Sequence, residues 1–153
     1  MHIIDRYKVQ TFVEIGVDQG GLASLMLGRV FIVPDFYYHG VELLRRVINE
    51  DVWIAATRSP KSSIIIGDSM SQEVTNRIAN AIRASRRTLL LCDGGDKPKE
   101  VNHYCNLLAG GDLLVVHDYG KEFNEGDIPS FVDTNFERIN DYMDVGLPLW
   151  QRL

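Results

Sequence analysis

Short apolar runs alternate along the chain with stretches whose apolar positions fall three and four residues apart. Thr11–Val17, Ser63–Asp68, Thr88–Asp93 and Asp112–Asp118 are nearly continuous in aliphatic residues, as strands covered on both faces require. Phe36–Leu43 is aromatic and β-branched and reads as a further strand. Between these runs, Leu22 to Val30 places Leu22, Leu25, Met26 and Val30 on one helical face. Ser71–Arg83 repeats Val74, Ile78 and Ile82 at four-residue spacing, with Ser69 and Gln72 as a capping box at its start. Lys99–Leu108 lines up Val101, Tyr104, Cys105 and Leu108, and Ala109-Gly110-Gly111 stops that helix. Leu44 to Trp53 is polar and amphipathic, and Arg58–Ser62 is a loop. The order βαβαβαβαβ predicts an α/β fold, a doubly wound, mostly parallel sheet with helices on both faces.

The pattern weakens after Asp118. Tyr119–Pro129 reads as a loop, Phe131–Tyr142 as a helix, and Leu147–Leu153 as a short strand or docked tail. The sheet is therefore expected to be trimmed at its C-terminal end, after five strands. Phe131, Phe136, Tyr142, Met143, Leu147, Leu149 and Trp150 are too apolar for a loose tail. They are expected to fold back along the fifth strand or to pack against a second copy as a homodimer.

Composition narrows the function more than the fold. The 153 residues suit one domain, residues 1–153, with one substantial core. A formal charge of −5 gives no basic footprint, which argues against a nucleic-acid partner. The longest apolar stretch, Leu22 to Val33, is broken by Arg29 and is too short to span a bilayer. The N-terminus carries Asp5, Arg6 and Lys8 and no signal-peptide core. Cys92 and Cys105 lie in apolar patterns and read as reduced core residues. A cytoplasmic protein with no membrane partner is expected.

The candidate chemistry sits at the strand ends. Glu14 lies near the end of the first strand, and Glu42, Asp68, Asp93 and Asp118 end the next four, about 25 to 28 residues apart, one per βα unit. Any one of them alone is an ordinary turn residue. Five at equivalent positions, where doubly wound sheets bind ligands, point to recognition of a neutral polar or cationic compound. The first strand runs into Glu14-Ile15-Gly16-Val17-Asp18-Gln19-Gly20-Gly21 and then a helix. A dinucleotide fingerprint would place a glycine at Val17 to admit a pyrophosphate, so a nucleotide-dependent oxidoreductase is the weaker reading.

That segment resembles the first motif of class I S-adenosylmethionine-dependent methyltransferases. It looks closest to the branch of cephalosporin hydroxylase-like and macrolide-sugar O-methyltransferase proteins. The resemblance spans about Phe12 to Tyr119 and implies a Rossmann-like methyltransferase core. The implied activity is O-methylation of a small molecule. It further implies that Gly16 and Gly20 make the bend under the methionine part of S-adenosylmethionine, that Val17 and Gly21 are cofactor-binding beside it, and that Glu14 anchors that bend. Glu42 would accept from the ribose hydroxyls, with Asp35 as its rival if Val30–Val33 were the second strand. Gly67-Asp68-Ser69 would meet the adenine, and Asp93 would lie where the methyl group is presented. Asp93 and Asp118 would face one gap and hold a divalent ion, Mg²⁺ or Mn²⁺. His117 stands where relatives tend to place another acid; it is a ligand for a softer metal, a general base, or a packed strand-end residue. The non-catalytic alternative is a cofactor-binding domain that needs a partner.

Overall fold

A computed structural model describes residues 2–139 and 147–153. Among these residues, seven strands form one sheet: β1 Thr11–Ile15, β2 Tyr37–Glu42, β3 Ser62–Ile66, β4 Thr88–Cys92, β5 Leu113–Val116, β6 Phe136–Ile139 and β7 Leu149–Arg152. Their order is β3-β2-β1-β4-β5-β7-β6. The first five strands run parallel, and β7 is antiparallel to both β5 and β6. The chain leaves β1 for β2 on one side and later returns to β4 on the other, so the strand order reverses beside β1. The carboxyl ends of β1 and β4 therefore open a crevice.

Side-chain alternation divides the core in two. Phe12, Leu89, Leu91, Leu113 and Val115 face helices α1 (His2–Arg6), α2 (Gly21–Ile32) and α3 (Glu50–Thr57). Val13, Ile15, Leu90, Cys92, Leu114 and Val116 face α4 (Gln72–Ala84), α5 (Lys97–Tyr104) and α6 (Ser130–Asn135). Both faces are dry, which is why the strands read as continuous apolar runs. Cys92 and Cys105 are buried and unbonded in the second layer.

Several local expectations change. The cap of α4 is Ser71, whose Oγ accepts from the Val74 N–H at 3.3 Å, and not Ser69. Asp96 caps α5 by accepting from the Lys99 N–H, which starts that helix two residues early. Leu44 to Trp53 splits into a 3₁₀ turn at Arg45–Val47 and the start of α3. Val30 belongs to α2, which ends at Ile32, and the second strand is β2, with Glu42 at its end.

The larger change is at the C-terminus. The helix expected over Phe131–Tyr142 stops at Asn135, and Phe136 opens β6. Residues 140–146, including Tyr142 and Met143, lie outside the described residues. Leu149–Arg152 pairs with β5 and β6, so the antiparallel pair is present and the sheet is not trimmed. The tail folds back along the fifth strand, the first of the two outcomes expected. Phe123 and Trp150 meet edge to face beneath it, and Arg138 lies over the rings of Tyr119 and Trp150.

Candidate functional site

The loop after β1 is built for close approach. Gly16 has φ +92°, and a Cβ on it would lie 2.6 Å from the carbonyl oxygen of Asp93. The two strand-end loops that bound the crevice therefore touch backbone to backbone at this point. Gly20 also has φ +92°, but the space it leaves is filled by Val52 of α3, whose nearest methyl would lie 2.8 Å from a Cβ there. Gly20 thus seats a helix against the loop, while Gly21 opens onto free space. Val17 is buried. Asp18 adopts φ +49° and donates its N–H to Glu42 Oε2 at 2.9 Å. Glu42 Oε1 accepts from the Leu44 N–H at 3.2 Å, so its carboxylate is pinned with lone pairs still free.

A cleft of about 500 Å³ runs from this loop across the ends of β2 and β3, lined by Gly16, Glu42, Gly67, Asp68, Ser69 and Asp93 among others. Asp68 Oδ1 accepts from the Met70 N–H, and the Ser69 carbonyl accepts from the Tyr104 hydroxyl. A second opening of about 450 Å³ continues past Gly16 toward Glu14, Lys97, His117 and Asp118. Asp93 and Gly16 border both. Apart from Asp35, which borders a separate groove, the residues singled out in the sequence thus lie along one continuous mouth.

Glu14 is 2% exposed, and its Oε2 accepts the Tyr38 hydroxyl at 2.5 Å. It anchors on Tyr38 rather than on the loop backbone. Burial pushes its pKa up to about 7; the Tyr38 hydrogen bond pulls the other way, and the charge on Asp93 adds to the rise.

At the far end of the mouth, Asp93, His117 and Asp118 each offer a donor atom within 4.8 Å of the others. His117 Nδ1 lies 2.9 Å from Asp93 Oδ1 and 3.3 Å from Asp118 Oδ2. Carboxylates only accept, so the proton belongs on Nδ1, and Nε2 keeps a free lone pair. Asp118 adopts φ +54°, which turns its side chain back toward the imidazole.

Sequence reasoning missed Lys97. Its side chain is 3% exposed, and Nζ lies 2.5 Å from Glu122 Oε2, 3.2 Å from the Gly94 carbonyl and 3.5 Å from Asp93 Oδ1. Burial opposes its charge, but Glu122 and Asp93 outweigh that and raise its pKa, so it stays an ammonium. Glu100 was also missed. Its buried carboxylate accepts from the Gly94 N–H and holds the turn that carries Asp93. The remaining histidines lie elsewhere: His39 bonds Ser63, and His103 bonds Thr75 at 2.7 Å.

No family model matches this chain, and no curated protein matches it. Solved structures do. CmcI-N160 with SAH aligns with a TM-score of 0.65 at 14% identity, over 99% of this chain and 72% of that one. A Staphylococcus aureus protein described as a caffeoyl-CoA O-methyltransferase aligns at TM-score 0.59 and 15% identity, over 75% of this chain. The O-methyltransferase TomG from Streptomyces achromogenes, in complex with SAM, aligns at 0.53 and 14%, again over 75%. The chain spans 53% and 51% of those last two structures. The fold of this chain is therefore the α/β fold that these methyltransferases share. Among the described residues, no helix is long and apolar enough to cross a membrane.

Proposed function

We propose that this protein is an S-adenosylmethionine-dependent methyltransferase that methylates a hydroxyl group on a small molecule, working as a cytoplasmic homodimer. The observation that carries the reading is the backbone contact between Gly16 and Asp93. It joins a largely apolar cleft rimmed by carboxylates, fit for a nucleoside, to a carboxylate–imidazole cluster fit to handle a proton. The residues present suit the cofactor. Glu42 has lone pairs left for ribose hydroxyls, Asp68 and Ser69 border the adenine end, and the buried Glu14 carboxylate faces the end where an ammonium would sit. When bound, S-adenosylmethionine supplies an electrophilic methyl on a sulfonium.

The chain's own residues then align an acceptor oxygen and remove its proton. His117 Nε2 takes the proton. Asp93 and Asp118 fix the tautomer and stabilise the imidazolium that results. Lys97 holds Asp93 in place by ion pairing and is a positioning residue. A second reading rests on the same cluster. Asp93, His117 and Asp118 together fit a divalent cation, which would acidify the acceptor hydroxyl; the mixed oxygen and nitrogen donors favour Mn²⁺ over Mg²⁺.

Calorimetry with S-adenosylmethionine and, separately, with NAD tests the cofactor. Binding of the first alone is expected, and no binding at millimolar concentration would reject the proposal. The non-catalytic alternative predicts binding without turnover. Titration with Mn²⁺, read by calorimetry on wild type and Asp118→Asn, separates the metal reading from the base reading.

A further inference from the structure

A third cavity opens on the same cluster from the side opposite the cleft. It lies between the sheet and helices α1 and α2, with a volume of about 320 Å³. Strand periodicity explains its shape. Leu89, Leu91 and Asp93 alternate along β4 and its end, Val115 and His117 along β5 and its end, so all five point to one face. Ile4 and Met26 roof the slot, and Phe12 closes its deep end beside Leu89. Among the described residues that line it, the walls are hydrocarbon and thioether, and only Asp93 and His117, at the outer end, carry polar side chains.

An apolar slot of this size that opens at a carboxylate–imidazole pair has the build of a ligand site, apolar walls with a few polar groups at one end. An apolar cavity of about 150 Å³ suffices to bind benzene. This one is roughly twice that and falls at the lower end of small-ligand sites. Its chemistry restricts the occupant further. A sugar would bury several hydroxyls against Phe12, Leu89 and Leu91 with nothing to accept them, and a charged group would fare worse. An imidazole base also favours an acidic hydroxyl, and a phenol is about six powers of ten more acidic than water.

We infer that this slot is the acceptor site, and that it takes an uncharged phenol with a flat apolar body of about two rings, its hydroxyl presented to His117. The inference rests on the methyltransferase reading. In the reaction the O–H proton passes to His117 Nε2, the phenolic oxygen forms a bond to the methyl carbon, and the C–S bond breaks with its electron pair left on sulfur. The products are an aryl methyl ether and S-adenosylhomocysteine.

The test uses 2-naphthol as the probe and the whole chain. Equilibrium dialysis in the presence of S-adenosylhomocysteine is expected to show saturable binding to the wild type. Met26→Trp fills the slot and should weaken that binding at least tenfold while S-adenosylhomocysteine affinity stays within twofold. Methionine-methyl NMR on the wild type provides a check that needs no variant: 2-naphthol should shift the Met26 signal, and S-adenosylhomocysteine alone should shift Met70 at the cleft. Mass spectrometry should find 2-methoxynaphthalene and no methylated product from a methyl glycoside. A protein that binds S-adenosylhomocysteine but not 2-naphthol, or that methylates the glycoside instead, overturns this inference and leaves the methyltransferase reading standing. A protein that binds neither S-adenosylmethionine nor S-adenosylhomocysteine overturns both.

Discussion

Glu14 is the residue where stability and function pull apart. Its folded pKa is about 7 against an ordinary 4.5, so the folded state holds a proton that the unfolded state has released. The contribution of this carboxyl to stability is then greatest below pH 4.5 and is lost as pH rises through 7, by about 3 kcal/mol at 1.36 kcal/mol per unit. Glu14→Gln removes that loss and still accepts the Tyr38 hydroxyl. It should raise the thermal midpoint at pH 8, leave it nearly unchanged at pH 4.5, and weaken S-adenosylmethionine binding. A variant that gains stability with no loss of cofactor affinity would make Glu14 a structural residue only. Gly16 gives a simpler outcome. An alanine there carries the left-handed penalty of about 1–2 kcal/mol and a methyl pressed onto immobile backbone. Gly16→Ala should therefore destabilise the protein, measured by urea titration, and abolish cofactor binding in calorimetry.

At the scale of elements, β2 decides which acid serves the ribose. Glu42 ends that strand, 2.9 Å from the Asp18 amide, whereas Asp35 precedes it at the other end of the sheet, bordering a surface groove near Arg29. Glu42→Ala should weaken S-adenosylmethionine binding by roughly 2–4 kcal/mol, about 30- to 900-fold, and Asp35→Ala should leave it unchanged. The reverse ranking would remove the ribose role from Glu42. Four of the five parallel strands were legible because strands covered on both faces need nearly uninterrupted apolar runs, and β2 was legible from its aromatic and β-branched residues. The strand-end acids were legible because the repeat of one βα unit per acid put them on one edge. β6 and β7 were not. They are four residues each, the antiparallel pair mixes Glu137, Arg138, Gln151 and Arg152 into its sequence, and Val132 with Phe136 mimics a helical face. Lys97 was hidden for a related reason. A lysine in the first turn of a helix reads as solvated, and only the fold brings Glu122 across from the β5 loop to bury it.

For the whole molecule, the question is what covers α2. This helix, Gly21–Ile32, has Arg29 as its only charged residue. Its inner face packs through Ala23, Met26, Leu27 and Val30, yet Leu25, Phe31 and Ile32 remain 62%, 57% and 82% exposed. A helix apolar on every side is normally enclosed on every side. The C-terminal pair answers for the edge of β5 but lies across the sheet from this surface, so folding the tail back does not cover it. A second copy meeting α2 against α2 about a twofold axis would, since one self-complementary patch then serves both partners. Light scattering at micromolar concentration should give twice the chain mass. Leu25→Lys with Ile32→Lys should give the single mass without loss of cofactor binding, because neither side chain lines the cleft. The wild-type thermal midpoint should also rise with protein concentration, and the variant's should not. A wild type that is monomeric throughout that range would reject the homodimer.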